Sequence, residues 1–441
     1  MADYPARFLR GEGFALTLLL PLLAGTAARA AGDDSFGQLM LAAEHGDARP
    51  LEAAIPGITD PATRALAQAR LAASRLDTDA VRVALSDFKQ TNDAAPAHRA
   101  MADTIATDAY FAAGRYSDVA EAARDWLALP AGADPRHTTQ AIAMVGGIAN
   151  SLATAPKQVL ISSRPATVPA VRDRAGLTVA PASVNGTALP VVLDTGANLS
   201  TVSASTAARL GLHMVGSPAN VGTATRDAVA VRIGVAGKVE LAGVTLKNVA
   251  FLVLDDAQLQ LPLKPAYQIE IILGFPVFRA MGRITFTTAG GFSPDGGAAA
   301  SPAAPNMHLG GSDLFVDATV NGLPVSLHLD TGATATSLSP AFAKAHPDLF
   351  AALPRMNRRI GGAGGVTEIQ VARLEPVDIA IADKHTVLNG IDIELSDGAR
   401  SSSETQGTLG QDVLRSFAGY TVDFASGRFT PFPAGGSGPR P

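Results

Sequence analysis

Two aspartates stand in one repeated five-residue setting, Leu193-Asp194-Thr195-Gly196-Ala197 and Leu329-Asp330-Thr331-Gly332-Ala333, 136 residues apart. A single carboxylate on a loop does little chemistry. Two carboxylates held roughly 3 Å apart cannot both ionise, so they keep one proton between them. The ionised member can then act as general base on a water while the protonated one polarises a carbonyl. That pairing hydrolyses an amide without metal, thiol or activated serine. It needs two equivalent acids face to face, which two copies of one lobe packed about a pseudo-twofold axis would supply.

Duplication predicts further matches at the same offset, and they are present. Val184-Asn185-Gly186 falls on Val320-Asn321-Gly322, Ser203 on Ser339 and Ala207 on Ala343. Downstream, Leu273-Gly274 falls on Leu409-Gly410, and Val277, Arg279, Thr285 and Ala289 fall on Val413, Arg415, Thr421 and Ala425. Only the middle of each copy needs compensating insertions. Before each acid the apolar residues alternate, Leu189, Val191 and Leu193 in one copy and Val325, Leu327 and Leu329 in the other. Each Asp is therefore expected at the end of a half-buried strand that leaves an Asn-Gly hairpin turn.

Asp-Thr-Gly-Ala, followed about 80 residues later by an apolar-apolar-Gly motif ("IILGF", "GTLGQ"), resembles the retropepsin-like aspartic peptidases. The resemblance covers both copies, about 170–434. It implies two barrel-like lobes, Asp194 and Asp330 as catalytic acids, and no cofactor. It also implies that Thr195 and Thr331 exchange hydroxyl hydrogen bonds across the seam and that Gly196 and Gly332 let the carboxylates lie nearly coplanar. Leu273-Gly274 and Leu409-Gly410 would run through psi-shaped loops beside the acids. Substrate flaps would fall at 221–229 and 360–368, with Gly222, Thr223, Gly361, Gly362 and Gly364 as flap residues. Neither segment holds the tyrosine of pepsin-type flaps. Viral members assemble the site from two chains, whereas here both lobes lie in one.

Other chemistries find no support. The eight histidines show no paired metal-ligand spacing, and no Gly-x-Ser-x-Gly is present. His328, two residues before Asp330, is expected on the opposite strand face in a structural role. The "GGAGG" stretch lacks the strand-then-helix setting of a dinucleotide loop.

The chain has 441 residues, 47% hydrophobic and 17% charged, with net charge −5 and no cysteine. This fits a folded chain of two or three domains and offers no electrostatic footprint for nucleic acid. Residues 1–30 read as an export signal: Arg7 and Arg10, an apolar core from Phe14 to Gly25, and an Ala28-Arg29-Ala30 cleavage site. A periplasmic or secreted protein with no membrane span after signal removal is expected.

From 35 to 155 the sequence is Ala-rich with helical spacing. Asp60 is the expected cap of a helix opening at Pro61, and Ala109-Tyr110, Gly114 and Tyr116 resemble a tetratricopeptide-type hairpin. After Pro156, strand patterns take over. The expected layout is multi-domain. An all-α region of helical hairpins (35–155) precedes an all-β, acid-protease-like fold with pseudosymmetric barrel lobes at 170–291 and 306–434, joined by a Gly/Ala/Pro linker at 292–305. The expected partner is a peptide or protein substrate. Whether the helical region binds a protein or only packs is open. So is a rival reading in which degenerate lobes serve a non-catalytic peptide-binding or assembly protein, and so is lobe exchange in a dimer.

Overall fold

The computed structural model describes residues 13–14, 35–223, 226–261, 263–294, 304–350, 352–362, 365–395 and 405–433. Apart from Gly13 and Phe14, the expected signal segment lies outside them. So do Gly364 and the tips of both expected flaps.

Seven helices open the described chain: α1 Ser35–Glu44, α2 Arg49–Ala54, α3 Pro61–Ser74, α4 Thr78–Gln90, α5 Pro96–Ala112, α6 Tyr116–Leu127 and α7 Thr139–Ala153. Asp60 caps α3 as expected, accepting from Thr63 N at 2.8 Å, with Pro61 at the first helical position. The break between α5 and α6 falls at Gly114, whose φ of +68° turns the chain. Among the described residues, no helix is long and apolar enough to cross a membrane.

A buried ionic network ties these helices together. His137 holds Asp134 through Nδ1 and Glu44 through Nε2, both at 2.6 Å, while Arg70 reaches Asp108 at 2.6 Å and Glu44 at 3.2 Å. Burial alone would lower the His137 pKa, but the carboxylates on its two ring nitrogens lift it to about 10. A raised histidine pKa contributes stability that is complete below its unfolded value and lost as pH climbs toward 10. His137→Ala removes the bridge between two buried carboxylates and leaves each with one arginine, Glu44 with Arg70 and Asp134 with Arg136, so thermal or denaturant unfolding should show a loss of about 2–4 kcal/mol. The wild-type advantage should shrink between neutral pH and pH 10.

Among the described residues the first lobe holds a nine-stranded sheet and a two-stranded one, the second lobe gives ten strands of an eleven-stranded sheet whose last member is Gly13–Phe14, and a five-stranded sheet is shared by both. The lobes repeat each other in detail. Asn185 and Asn321 both have φ of +49°, and each is followed by a Gly with φ above +80°, as the two-residue Asn-Gly turn demands. Each Asn side chain also accepts a backbone N–H from the neighbouring strand, from Lys238 at 3.0 Å and from Asp378 at 2.8 Å. Ser203 and Ser339 cap equivalent helices through Thr206 N and Phe342 N, both at 3.3 Å.

The five-stranded sheet joins the lobes. Arg283–Thr287 pairs antiparallel with Gly419–Asp423, placing Thr285 opposite Thr421 with hydroxyls 2.9 Å apart. Equivalent residues can meet in this way only on the pseudo-twofold axis. Arg283 and Asp423 close one end of the pair at 2.6 Å, and Phe286 stacks on Tyr420 with ring centroids 5.1 Å apart. This sheet corrects two expected boundaries. The linker at 292–305 gives up its first residues to the strand Gly291–Pro294, where Phe292 is fully buried against Phe278 and Phe286. The first lobe also begins before 170, because Val159–Ser163 already pairs with Val244–Leu254.

The helical region touches both lobes. The turn after α1 sits on the second lobe: Ser326 Oγ donates to Gly46 O at 2.7 Å, and a methyl on Gly46 would fall 2.3 Å from the Phe315 ring. On the first lobe, Arg279 donates to Leu76 O at 3.3 Å, and Ser151 of α7 packs at Gly216.

Candidate active site

Each acid is delivered by the strand expected for it. Thr187–Leu193 and Leu323–Leu329 run to Asp194 and Asp330, with Leu193 and Leu329 fully buried. Ile271–Leu273 slots beside the first in parallel (Leu273 opposite Leu193) and pairs antiparallel with Ser200–Ser203. Gly407–Leu409 does the same in the second lobe, with Leu409 opposite Leu329 and Thr408 opposite Ser337. These are the expected psi-shaped crossings. They fix the acid loops directly: Asp194 N donates to Leu273 O at 3.0 Å and Asp330 N to Leu409 O at 3.2 Å. A Cβ on Gly274 would lie 2.4 Å from Ala197 O, and one on Gly410 2.5 Å from Ala335, so only glycine lets the crossing come this close.

Two supports on these loops escape a motif reading. Gly274 N donates to Ser200 Oγ at 3.1 Å and Gly410 N to Thr336 Oγ1 at 2.9 Å. Ser200 and Thr336 share the 136-residue offset, which was the available signal. Gln411 is a third support without a symmetric counterpart. Its side chain donates to Thr331 O at 2.7 Å.

The two threonines lock the seam. Thr195 Oγ1 donates to Leu329 O at 2.8 Å and accepts from Thr331 N at 3.2 Å. Thr331 Oγ1 donates to Leu193 O at 3.1 Å and accepts from Thr195 N at 2.9 Å. Each hydroxyl thus grips the backbone just before the opposite acid. Thr331→Val strands a buried carbonyl and a buried N–H. A stability loss of about 2–4 kcal/mol is expected in chemical denaturation, largely restored by Thr331→Ser.

Asp194 and Asp330 are both completely buried, each at 0% exposure. Their proximity is read from the glycines. A Cβ on Gly196 would fall 2.8 Å from the Asp330 carboxyl carbon, and one on Gly332 only 2.5 Å from Asp194 Oδ2. Each carboxyl therefore lies against the other lobe's Thr-Gly turn. Burial, and then the charge of Asp330, hold the Asp194 carboxyl well above the ordinary range. The surroundings of the two acids differ. Asp330 Oδ1 accepts two backbone N–H groups, from Gly332 and Ala333, both at 2.8 Å. Asp194 Oδ1 accepts Gly196 N at 2.9 Å, and its Oδ2 has no donor of its own.

Both expected flap segments are hairpins over their described backbone. His213–Thr223 pairs with Arg226–Leu241, with Thr223 opposite Arg226. Arg355–Gly362 pairs with Gly365–Leu374, with Gly362 opposite Gly365. Gly222 and Gly361 lie on these strands. His328 lies buried against the Phe315 ring, centroids 5.7 Å apart, away from the Leu327–Leu329 core face as expected. No group of three metal-ligating side chains occurs among the described residues.

Comparison with known proteins agrees with the repeat. Residues 180–277 and 316–413 each match the family model described as aspartyl protease, and the two matches are offset by the same 136 residues. No curated protein is similar enough to count as a match. Among solved structures the chain is similar to a retropepsin-like aspartic protease from Rickettsia conorii, at 18% identity, 30% of this chain, 93% of that chain and a TM-score of 0.21.

Proposed function

We propose that this chain, whose two β lobes are aspartyl protease lobes, is an exported endopeptidase of retropepsin-like type. It would hydrolyse peptide bonds with a water activated between Asp194 and Asp330. The observation that carries this reading is the buried pair itself, with equivalent acids on opposite lobes and a strongly raised Asp194 pKa.

The hydrogen bonds suggest which acid does what. Two amide donors favour a carboxylate at Asp330, making it the general base that takes a proton from water. Asp194, whose carboxyl is raised by burial and by the charge of Asp330, holds the shared proton, ready to polarise the scissile carbonyl. As water attacks, Asp330 becomes protonated and the carbonyl oxygen takes the Asp194 proton. Asp330 then passes its proton to the departing nitrogen as the C–N bond breaks, a hydroxyl of the diol returns its proton to Asp194 as the new carboxyl forms, and the pair is back to one proton. The hairpins at 213–241 and 355–374 would cover an extended peptide during these steps. The basic and apolar opening of the chain supports action outside the cytoplasm.

A non-catalytic peptide-binding role draws support from the helical region, where α4, α5 and α6 enclose a groove of about 510 Å³ that includes Phe88, Asp103 and Tyr110. A mixed peptide library incubated with the protein, with and without a statine-type inhibitor, separates the two. Inhibitor-sensitive cleavage is the expected outcome. Binding without any cleavage, from acid to neutral pH, would leave only the second role.

A further inference from the structure

The repeat makes the two acids equivalent, yet the lobes do not surround them equally. At the offset of 136, Asp313 stands where the first lobe has Leu177, and His328 where it has Val192. All four side chains are at least nine-tenths buried. The register is unchanged, since Phe315 faces His328 across the strands as Val179 faces Val192. Two buried ionisable side chains have therefore replaced two buried apolar ones, in one lobe only.

The seam is asymmetric in the same place. Asn198, four residues after Asp194, reaches across to the second lobe, where its Nδ2 donates to Ser312 Oγ at 2.8 Å, on the residue next to Asp313. At the opposite end the matching positions are Thr334 and Gly176, and the Thr334 methyl lies 3.3 Å from where a Cβ on that glycine would be. Asp313 Oδ1 and His328 Nε2 have no hydrogen-bond partner among the described residues.

We propose that Asp313 is a positioning residue for the dyad proton: its buried carboxylate imposes on Asp330 a negative field that Leu177 cannot impose on Asp194, and so sets the pH at which the shared proton leaves. Asp313 feels Asp330 as a like charge and His328 as an opposing one, both on the acid strand. On its own hairpin, His308 and Asp317 satisfy each other at 2.8 Å. The helical region contributes the end of α1 and the turn after it, with Glu44 O and Gly46 packed at Gly310. Burial pushes Asp313 up to about 6, so it gains its charge as pH approaches neutrality. A negative charge beside a one-proton pair opposes the second ionisation, so ionised Asp313 holds the dyad in its one-proton form to higher pH.

The proton equilibrium belongs to the fold, while its kinetic consequence rests on the peptidase reading. The test uses full-length protein with carboxyl-¹³C aspartate, titrated by NMR over roughly pH 3 to 9. The dyad signals are identified by their loss in Asp194→Asn and Asp330→Asn. In Asp313→Asn, and in Asp313→Leu, which installs the first lobe's residue, the upper dyad step should move down by about 0.5–1 pH unit. The alkaline limb of kcat/KM should move with it. An upper step that stays in place in whichever of the two variants folds overturns the proposal. A moved step in a protein that cleaves no peptide instead overturns the peptidase reading and leaves this one standing.

Discussion

Asp330→Asn and Asp194→Asn should each lower kcat/KM for peptide cleavage by at least about a thousand-fold, because an amide can neither take a proton from water nor share one. The fold should survive, since an amide is isosteric with a carboxyl and Asp330 keeps one oxygen for the Gly332 and Ala333 amides. Stability should move the other way from activity. The Asp194 carboxyl has its pKa raised by burial and by Asp330, so the folded chain binds more protons here than the unfolded one. Its stabilising contribution is complete below the ordinary carboxylate range and is lost as pH rises through the raised value. Near neutral pH, Asp194→Asn should therefore melt higher than the wild type, by about 2–4 °C for a chain of this size. The two should converge near pH 3. An Asn variant that melts lower at every pH would mean that the carboxyl pair is a structural ion site, held by groups other than its own proton.

Gly332→Ala carries the second large effect. Its new methyl carbon would fall 2.5 Å from Asp194 Oδ2 and 2.7 Å from that carboxyl carbon, inside any real contact distance. The obstacle is the acid itself, fully buried and unable to swing aside. The carboxyl must shift by the better part of an ångström, and misplacement on that scale costs about a hundred-fold in rate. Gly196→Ala, at 2.8 Å from the Asp330 carboxyl carbon, should be milder. Gly147→Ala in α7, where nothing lies within 4 Å, should leave kcat/KM unchanged and serves as the control. A Gly332→Ala enzyme of normal kcat/KM would show that the two acids do not approach as the glycines imply.

The two matched Asp-Thr-Gly loops were legible because duplication writes the same local sequence twice. Asp-Thr-Gly and the Leu-Gly crossing depend on residues close in sequence, and both lobes fold them alike. The shared sheet was less visible. Thr285 and Thr421 were already matched by the offset, but their meeting on the axis is a consequence of packing that strand alternation alone does not give. Phe292 was read as linker because glycine, proline and alanine surround it, and only the partner ring of Phe286 reveals its burial. The anchorage of the helical region through Gly46 and Ser326 joins positions 280 residues apart and left no local signal. Asp313 was passed over because a search for matches ignores the places where two copies differ. Those differences distinguish one acid from its twin.

Neutron diffraction from deuterated crystals grown near pH 5 would test the shared proton most directly. One deuteron is predicted in the dyad, bound to Asp194 Oδ2 and directed at the Asp330 carboxylate. Two bare carboxylates, or a deuteron on each acid, would contradict it.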